Sequence, residues 1–266
     1  MAEAVIASVD GLIGPASDAT ISILDEGLVR GDGAFEVLKL YGSHPFRMRE
    51  HLARLARSAA AIELDYDREA LEAEIVALLE AGLPADGCLR IVITRGGRRL
   101  LTGERLPPFA PSVAVALIEF SPSQILAGVK SISYAGNMQA TRIAAARGAD
   151  EAVYVRPDGV VLEAPTSSIF WTDGEDRLHT PALSVGILDS ITRGVLIDAL
   201  DVAEGEFPRD ALTGATEAFL ASTNREVQPI SSVDGQALPV VGGPAGERAA
   251  AALARAVELE LASTAA

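Results

Sequence analysis

Only one cysteine, Cys88, occurs in the 266 residues of this chain. No internal disulfide can form, and paired-cysteine or Cys/His zinc sites are excluded with it. Histidine is nearly as scarce. His44, His51 and His179 lie far apart, with no HExxH and no His-x-His pair, so no histidine-based metal site is expected. Cations are outnumbered, 22 Lys+Arg against 37 Asp+Glu, for a net charge of −15. The chain therefore lacks the basic footprint that nucleic acids require, and an anionic membrane surface is disfavoured too. No window reaches the run of about 20 apolar residues that spans a bilayer. The opening "MAEAVIASVDG" has neither a basic stretch nor a long apolar core of a targeting signal. The expected location is the cytoplasm. Aromatics make up only 5%, yet 49% of the residues are hydrophobic, ample for one large domain or two modest ones.

Lysine is the most informative scarcity. Among the 22 cations only Lys39 and Lys130 are lysines. Arginine and lysine serve equally well as surface charge, but only lysine can lose its proton and attack a carbonyl. A lysine retained in "GVKSISYAGN", residues 128–137, is therefore a candidate reactive amine.

The periodicities mix helices with strand pairs. "AVIASVDGLIG" reads as strand, Asp-Gly turn, strand. "ISILDEGLVRGDGAFEVLKLY" reads as two strands around the bend "RGDG". Apolar residues at Leu52, Leu55, Ala59 and Ile62 predict a helix over 48–64. A second helix is capped by Asp67 and ended near Gly82. "CLRIVITRG" and "SVAVALIEF" are strands, "SPSQ" is a linker, and "GVKSISY" reads as a strand. A helix follows to Gly148, then a hairpin through Pro-Asp-Gly, the strand "SSIFWT", and a helix starting at Ser190. The strand "EAFLAST" and a C-terminal helix complete the chain. This is an α/β chain of the α+β type. "GDGAFE" is not GxGxxG and no regular βαβ units occur, which argues against a Rossmann sheet. The expected division is a small domain over 1–120, a linker at 121–124 and a large domain over 125–266.

Three features accompany Lys130. Glu163 ends an apolar strand in "VVLEAPTSS". "LDSITRG" opens a helix with small hydroxyl residues, a natural phosphate site. "ASTNREV" ends an apolar strand in a polar turn. A lysine, a carboxylate and two anion-holding turns are the groups that pyridoxal phosphate needs.

Together with "RGDGAFEVLKLYG", "FRMREHLARLARSA", "VKSISYAGNMQATRIAAARGADEAVYV", "DGVVLEAPTSSIFW", "ILDSITRG" and "FLASTNREVQPI", the chain resembles the class IV aminotransferases. These are the fold-type IV pyridoxal phosphate enzymes, and the resemblance covers nearly the whole chain. It implies two α/β domains with the cofactor between them and at least a homodimer, because a partner's residues complete each site. Amino acids and 2-keto acids are the implied substrates, exchanged by ping-pong kinetics. The resemblance gives Lys130 as the lysine that bonds the cofactor and moves the substrate proton. Glu163 matches the acid at the pyridine nitrogen, and Tyr134 the tyrosine that in some members bonds the phenolic oxygen. Arg54, Ile191, Thr192 and Thr223 match the phosphate contacts.

Substrate choice is less legible. "FEVLKLYG" is similar to the strand of D-amino acid transaminases. Val37 stands where aminodeoxychorismate lyases usually resemble "GDGxFET", which lowers the lyase reading. The Arg-x-His pair with which D-amino acid transaminases usually hold the carboxylate is missing from "TRGGRRLLTGERLP", and Ser168 replaces a usual asparagine. Arg30 and Arg90 are the candidate replacements for the carboxylate trap, with Arg98 and Arg99 on the loop beyond. Arg90, in an apolar strand, needs a partner or a ligand. The expectation is a D-amino acid transaminase whose carboxylate is held by arginines. Aminodeoxychorismate lyase and (R)-amine or branched-chain transaminase are the alternatives.

Overall fold

The computed structural model describes residues 5–264. The chain divides into two compact units, 1–107 with 129–134, and 108–128 with 135–266. This corrects the expected boundary. The strand over 113–119 belongs with the second unit, because it pairs there on both edges, and the segment carrying Lys130 belongs with the first.

The first unit contains β1 (Ile6–Val9), β2 (Leu12–Pro15), α1 (Glu26–Arg30), β3 (Gly33–Tyr41), β4 (His44–Pro45), α2 (Met48–Ala61), α3 (Arg68–Glu80), β5 (Gly87–Thr94) and β6 (Arg99–Arg105). Its six strands form one sheet in the order β2-β1-β6-β5-β3-β4, every pair antiparallel. Ala34, Leu38 and Leu40 of β3 point to one face. They pack with Leu52 and Leu55 of α2, Leu71, Ile75 and Leu78 of α3, and Leu89, Ile91 and Ile93 of β5. Strand alternation then puts Phe35, Val37, Lys39 and Tyr41 on the opposite face.

The expected strand before "RGDG" is instead the helix α1. Asp25 caps it by accepting from the Gly27 N–H at 2.8 Å, and Gly31 closes it at φ 68°. Five residues are too few for a helical period to show in the sequence.

The second unit contains β7 (Val113–Glu119), α4 (Ala135–Ala146), β8 (Glu151–Val155), β9 (Ser168–Thr172), β10 (Leu178–Pro181), α5 (Ile191–Ala199), β11 (Val202–Gly205), α6 (Arg209–Thr213), β12 (Glu217–Ser222), β13 (Glu226–Val233), β14 (Gln236–Ala237) and α7 (Pro244–Thr264). Its sheet runs β11-β10-β9-β12-β13-β7-β8, with β14 beside β13. Contacts β10/β11, β13/β7 and β7/β8 are parallel and the others antiparallel. Trp171, Leu220, Ile230 and Val153 fill one side of this sheet, and Ala140 and Ala144 of α4 cover Ile118 and Tyr154 on another.

At the β9–β10 connection, Asp173 Oδ2 lies 2.8 Å from His179 Nε2, and Asp173 also accepts from the N–H groups of Glu175 and Arg177. The hydrogen bond from His179 chiefly, with the two backbone donors, holds the Asp173 carboxyl at about 2 against an ordinary 3.8. A depressed acid contributes stability above its unfolded value and loses it as the pH falls through its folded one. Asp173→Asn is therefore expected to lower Tm at neutral pH and to flatten the acid limb of a Tm–pH profile between about pH 4 and 2. An unchanged limb would show that the pair contributes nothing.

Candidate active site

Lys130 does not lie in a regular strand. The segment runs beside the start of β3 through Phe35 N–H to Lys130 C=O (3.0 Å), Ile132 N–H to Gly33 C=O (3.0 Å) and a bridge between Ala34 and Ser131. Gly33 is required there, since a Cβ would collide with the Ile93 carbonyl oxygen and with Ile132. Ser58 Oγ of α2 accepts from the Lys130 N–H at 3.1 Å. The docking places Lys130 Nζ 4.3 Å from the centroid of the Phe35 ring, whose edge contact with Tyr134 is 5.4 Å. Lys130, Tyr134 and Phe35 thus come together on the face of β3 that also carries Val37 and Lys39.

Behind that face lies a buried ionic cluster that the sequence reading missed. Glu36 is fully buried and takes two bonds from Arg54, Nε to Oε1 at 2.7 Å and Nη2 to Oε2 at 2.8 Å. His51 Nδ1 lies 2.8 Å from Oε2. Burial pushes the Glu36 carboxyl upward, but the hydrogen bonds from Arg54 and His51, with the arginine's charge, outweigh it and hold the group at about 2. Burial lowers the His51 pKa, with the charges of Arg54 and Lys130 adding to the effect while Glu36 opposes it. An ionised Glu36 can only accept, so His51 Nδ1 carries the shared proton. The signal was present in the spacing: His51, Arg54 and Ser58 fall at i, i+3 and i+7 of one helix, opposite an acid in an apolar strand.

The expected substrate arginines are dispersed. Arg90 faces Val37 across β3/β5 and binds Glu104, Nε to Oε1 at 2.5 Å and Nη2 to Oε2 at 2.9 Å. Arg98 pairs with Asp10 at 2.7 Å and Asp25 at 3.8 Å, and Arg99 with Glu74 at 2.8 Å. Arg98 therefore ties its loop to the cap of α1. Arg30, at the end of α1, is 70% exposed and 3.6 Å from Glu26.

The second unit carries the remaining residues. Glu163 is half-buried and its Oε1 accepts from the Leu188 N–H at 3.0 Å, which fixes the carboxylate. Ser190 caps α5 by accepting from the Arg193 N–H at 3.3 Å, and Ile191 and Thr192 supply the first two amides of that helix. Thr223 sits in the β12–β13 turn. Arg225 of that turn bonds Gln228 at 2.8 Å and the buried Glu151 of β8 at 2.5 Å, a clamp that sequence reasoning missed. Four and five residues beyond Glu163 in the chain, the hydroxyl oxygens of Ser167 and Ser168 are buried without a hydrogen-bond partner. A fixed carboxylate, a capped helix start, a clamped hydroxyl turn and orphaned hydroxyls fit a phosphorylated heteroaromatic cofactor. Among the described residues no group of three or more His, Cys, Asp or Glu side chains could hold a metal ion, and no helix is long and apolar enough to cross a membrane.

The mixed α/β architecture is that of the fold-type IV, pyridoxal-phosphate-dependent enzymes and not of a Rossmann protein. The model of the family "Amino-transferase class IV" matches residues 33–233, and the chain belongs to that family. It is 28% identical over 272 residues to a D-alanine aminotransferase of Bacillus licheniformis, covering 93% of this chain and 95% of that one. An aminodeoxychorismate lyase of Bacillus subtilis is 26% identical over 243 residues, covering 82% and 83%. Among solved structures, a branched-chain aminotransferase from Thermoproteus uzoniensis superposes with a TM-score of 0.84 at 28% identity, covering 95% and 94%.

Proposed function

We propose that this enzyme transfers the amino group between D-amino acids and 2-keto acids. The observation that carries the reading is the strand "FEVLK" itself. It offers Phe35, Val37 and Lys39 on the face where Lys130 docks, with Arg90 directly across from Val37. Similarity to a D-alanine aminotransferase supports it. Valine at position 37, where aminodeoxychorismate lyases usually carry a threonine, disfavours the lyase reading.

Bound pyridoxal phosphate supplies an electron sink for the bond broken at the donor's α-carbon. Lys130 Nζ accepts the proton at that carbon and returns it on the other side of the transfer. Tyr134, against Phe35, bonds the cofactor's phenolic oxygen. Glu163, fixed by the Leu188 N–H, holds a proton at the ring nitrogen. Arg54, the amides of Ile191 and Thr192, and Thr223 hold the phosphate. Arg54 comes with its charge balanced by Glu36, so it contributes directed N–H donors more than net charge. Arg90 receives the α-carboxylate, joined across the homodimer by Arg30 of the partner subunit, and Arg98 supports α1.

The acting form is a cytoplasmic homodimer. Ile23, Leu24, Leu28 and Val29 beside Arg30 are 59–82% exposed, which supports a protein partner there.

The test is a half-reaction series. D-glutamate, D-alanine, L-leucine and (R)-1-phenylethylamine are added singly to the holoenzyme, and the cofactor's visible absorbance is followed. The D-amino acids are expected to bleach it fastest. Faster bleaching by L-leucine or the amine overturns the reading. If no donor bleaches it, pyruvate release from aminodeoxychorismate decides for the lyase.

A further inference from the structure

Arg90 is the arginine best placed to meet a donor carboxylate, yet a carboxylate of the chain already holds it. The contact is side-on and bidentate, Nε and Nη2 against the two oxygens of Glu104. That is the geometry in which a guanidinium binds a substrate carboxylate. Thr102, paired with Arg90 across β5/β6, adds a bond from Oγ1 to Glu104 Oε1 at 3.2 Å. The three side chains lie on the face that carries Val37 and Phe35, and Phe35 lies under Lys130 Nζ. The pair is not sealed: Arg90 is 37% and Glu104 34% exposed. A structural ion pair buried in a core would be inaccessible to a ligand, and one fully in water would be worth little. This one is part-exposed on the face itself, where a second carboxylate can reach the guanidinium.

We propose that Glu104 is a specificity-setting residue, an internal carboxylate that occupies Arg90 until the donor's carboxylate displaces it. The proposal rests on Arg90 receiving the α-carboxylate, as above. With Glu104 in place Arg90 offers no net charge, so an anion gains only by exchanging one carboxylate for another. Donors that cannot make the bidentate exchange receive little help from Arg90. Burial pushes the Glu104 carboxyl upward, but the bond and charge of Arg90 lower it below its ordinary value, so it remains an ionised competitor at neutral pH.

Glu104→Gln keeps the side chain's size and removes its charge. KM for carboxylate-bearing donors is expected to fall about tenfold with kcat little changed, a difference of about 1.4 kcal/mol in binding. KM for (R)-1-phenylethylamine, which has no carboxylate, is expected to stay the same. Acetate, titrated against the cofactor absorbance, is expected to bind the variant correspondingly tighter. Thr102→Val, which removes one bond to Glu104, should move the carboxylate-donor KM and the acetate affinity a smaller distance in the same direction and leave the amine's KM unchanged, so a poorly folding Glu104→Gln does not end the test. Equal KM and equal acetate affinity in wild type and variants overturn the proposal. So does a rise in KM for every donor including the amine, which marks a structural pair. These comparisons set carboxylate against amine, whatever the donor's hand. A wild type that ignores D-amino acids therefore overturns the proposed function without deciding the role of Glu104.

Discussion

Lys130→Arg is expected to abolish amino transfer while leaving the fold intact. A guanidinium keeps the positive charge near the Phe35 ring, so the contact at 4.3 Å is preserved in kind. The backbone bonds at Phe35, Ile132 and Ser58 do not involve the side chain and remain. Arginine cannot release its proton in a protein, so it can neither bond the cofactor covalently nor carry the α-proton. General acid–base help alone is worth about 10²- to 10⁴-fold, so the half-reaction rate should fall by at least about 10⁴-fold once covalent attachment is lost too. Single-turnover absorbance measures it. Far-UV circular dichroism and Tm should match wild type. Retained activity within about tenfold would remove Lys130 from the chemistry, and Lys39, the other lysine, would be the next to replace.

Glu36→Gln should have the largest effect on stability. Glu36 is fully buried, Arg54 is 4% exposed, and His51 is 1% exposed. Removing the charge leaves the Arg54 guanidinium in the interior without its counter-ion, and breaking a buried pair in this way costs about 3–5 kcal/mol. A Tm lowered by about 10 °C is the expected reading for a chain of this size. The pair also sets an acid limb. Glu36 is depressed to about 2 from an ordinary 4.5, so the stability it contributes is complete above about pH 4.5 and is lost as the pH falls through 2. His51 is depressed as well, so acid below its ordinary 6.5 already works against the folded state. Urea denaturation at pH 7, pH 4 and about pH 2 measures both, the first step reading His51 and the second Glu36. A variant within about 1 kcal/mol of wild type would mean that water or another group compensates Arg54. Glu36→Leu with Arg54→Met should recover stability, because an apolar pair of similar volume often replaces a buried ion pair without loss. It should not recover retention of the cofactor's phosphate.

Local rules carried much of this fold. The Asp67 cap of α3 and the Ser190 cap of α5 stand where the sequence placed them, because a cap depends on residues three apart. The 48–64 helix was visible as a stripe of apolar positions, and α2 buries Leu52, Leu55 and Ala59 from it. What stayed hidden depends on register. Arg90 visibly needed a partner, but only the β5/β6 hairpin alignment brings Glu104, fourteen residues on, to its guanidinium. Asp25 reaches Thr94 across sixty-nine residues of chain, and no periodicity encodes such a contact. The Lys130 segment read as a strand because "VKSISY" alternates. It makes only one bridge, Ser131 to Ala34, whose two bonds are those of Phe35 N–H to Lys130 C=O and Ile132 N–H to Gly33 C=O.

The division of the chain has a genealogical consequence. The backbone passes between the two units at 107/108, 128/129 and 134/135, three crossings in all. Neither unit is a continuous stretch, and the six residues 129–134 that carry Lys130 are an island of the first unit inside the sequence of the second. A gene cut once can donate neither unit whole. A recombinant that exchanges residues 1–107 brings a new sheet face, with its own Phe35, Val37, Arg90 and Glu104, to an old lysine segment. On the roles proposed for Arg90, Glu104 and Lys130, such a crossover would exchange specificity while keeping the reactive lysine, which makes these chimeras the natural material for re-targeting this enzyme.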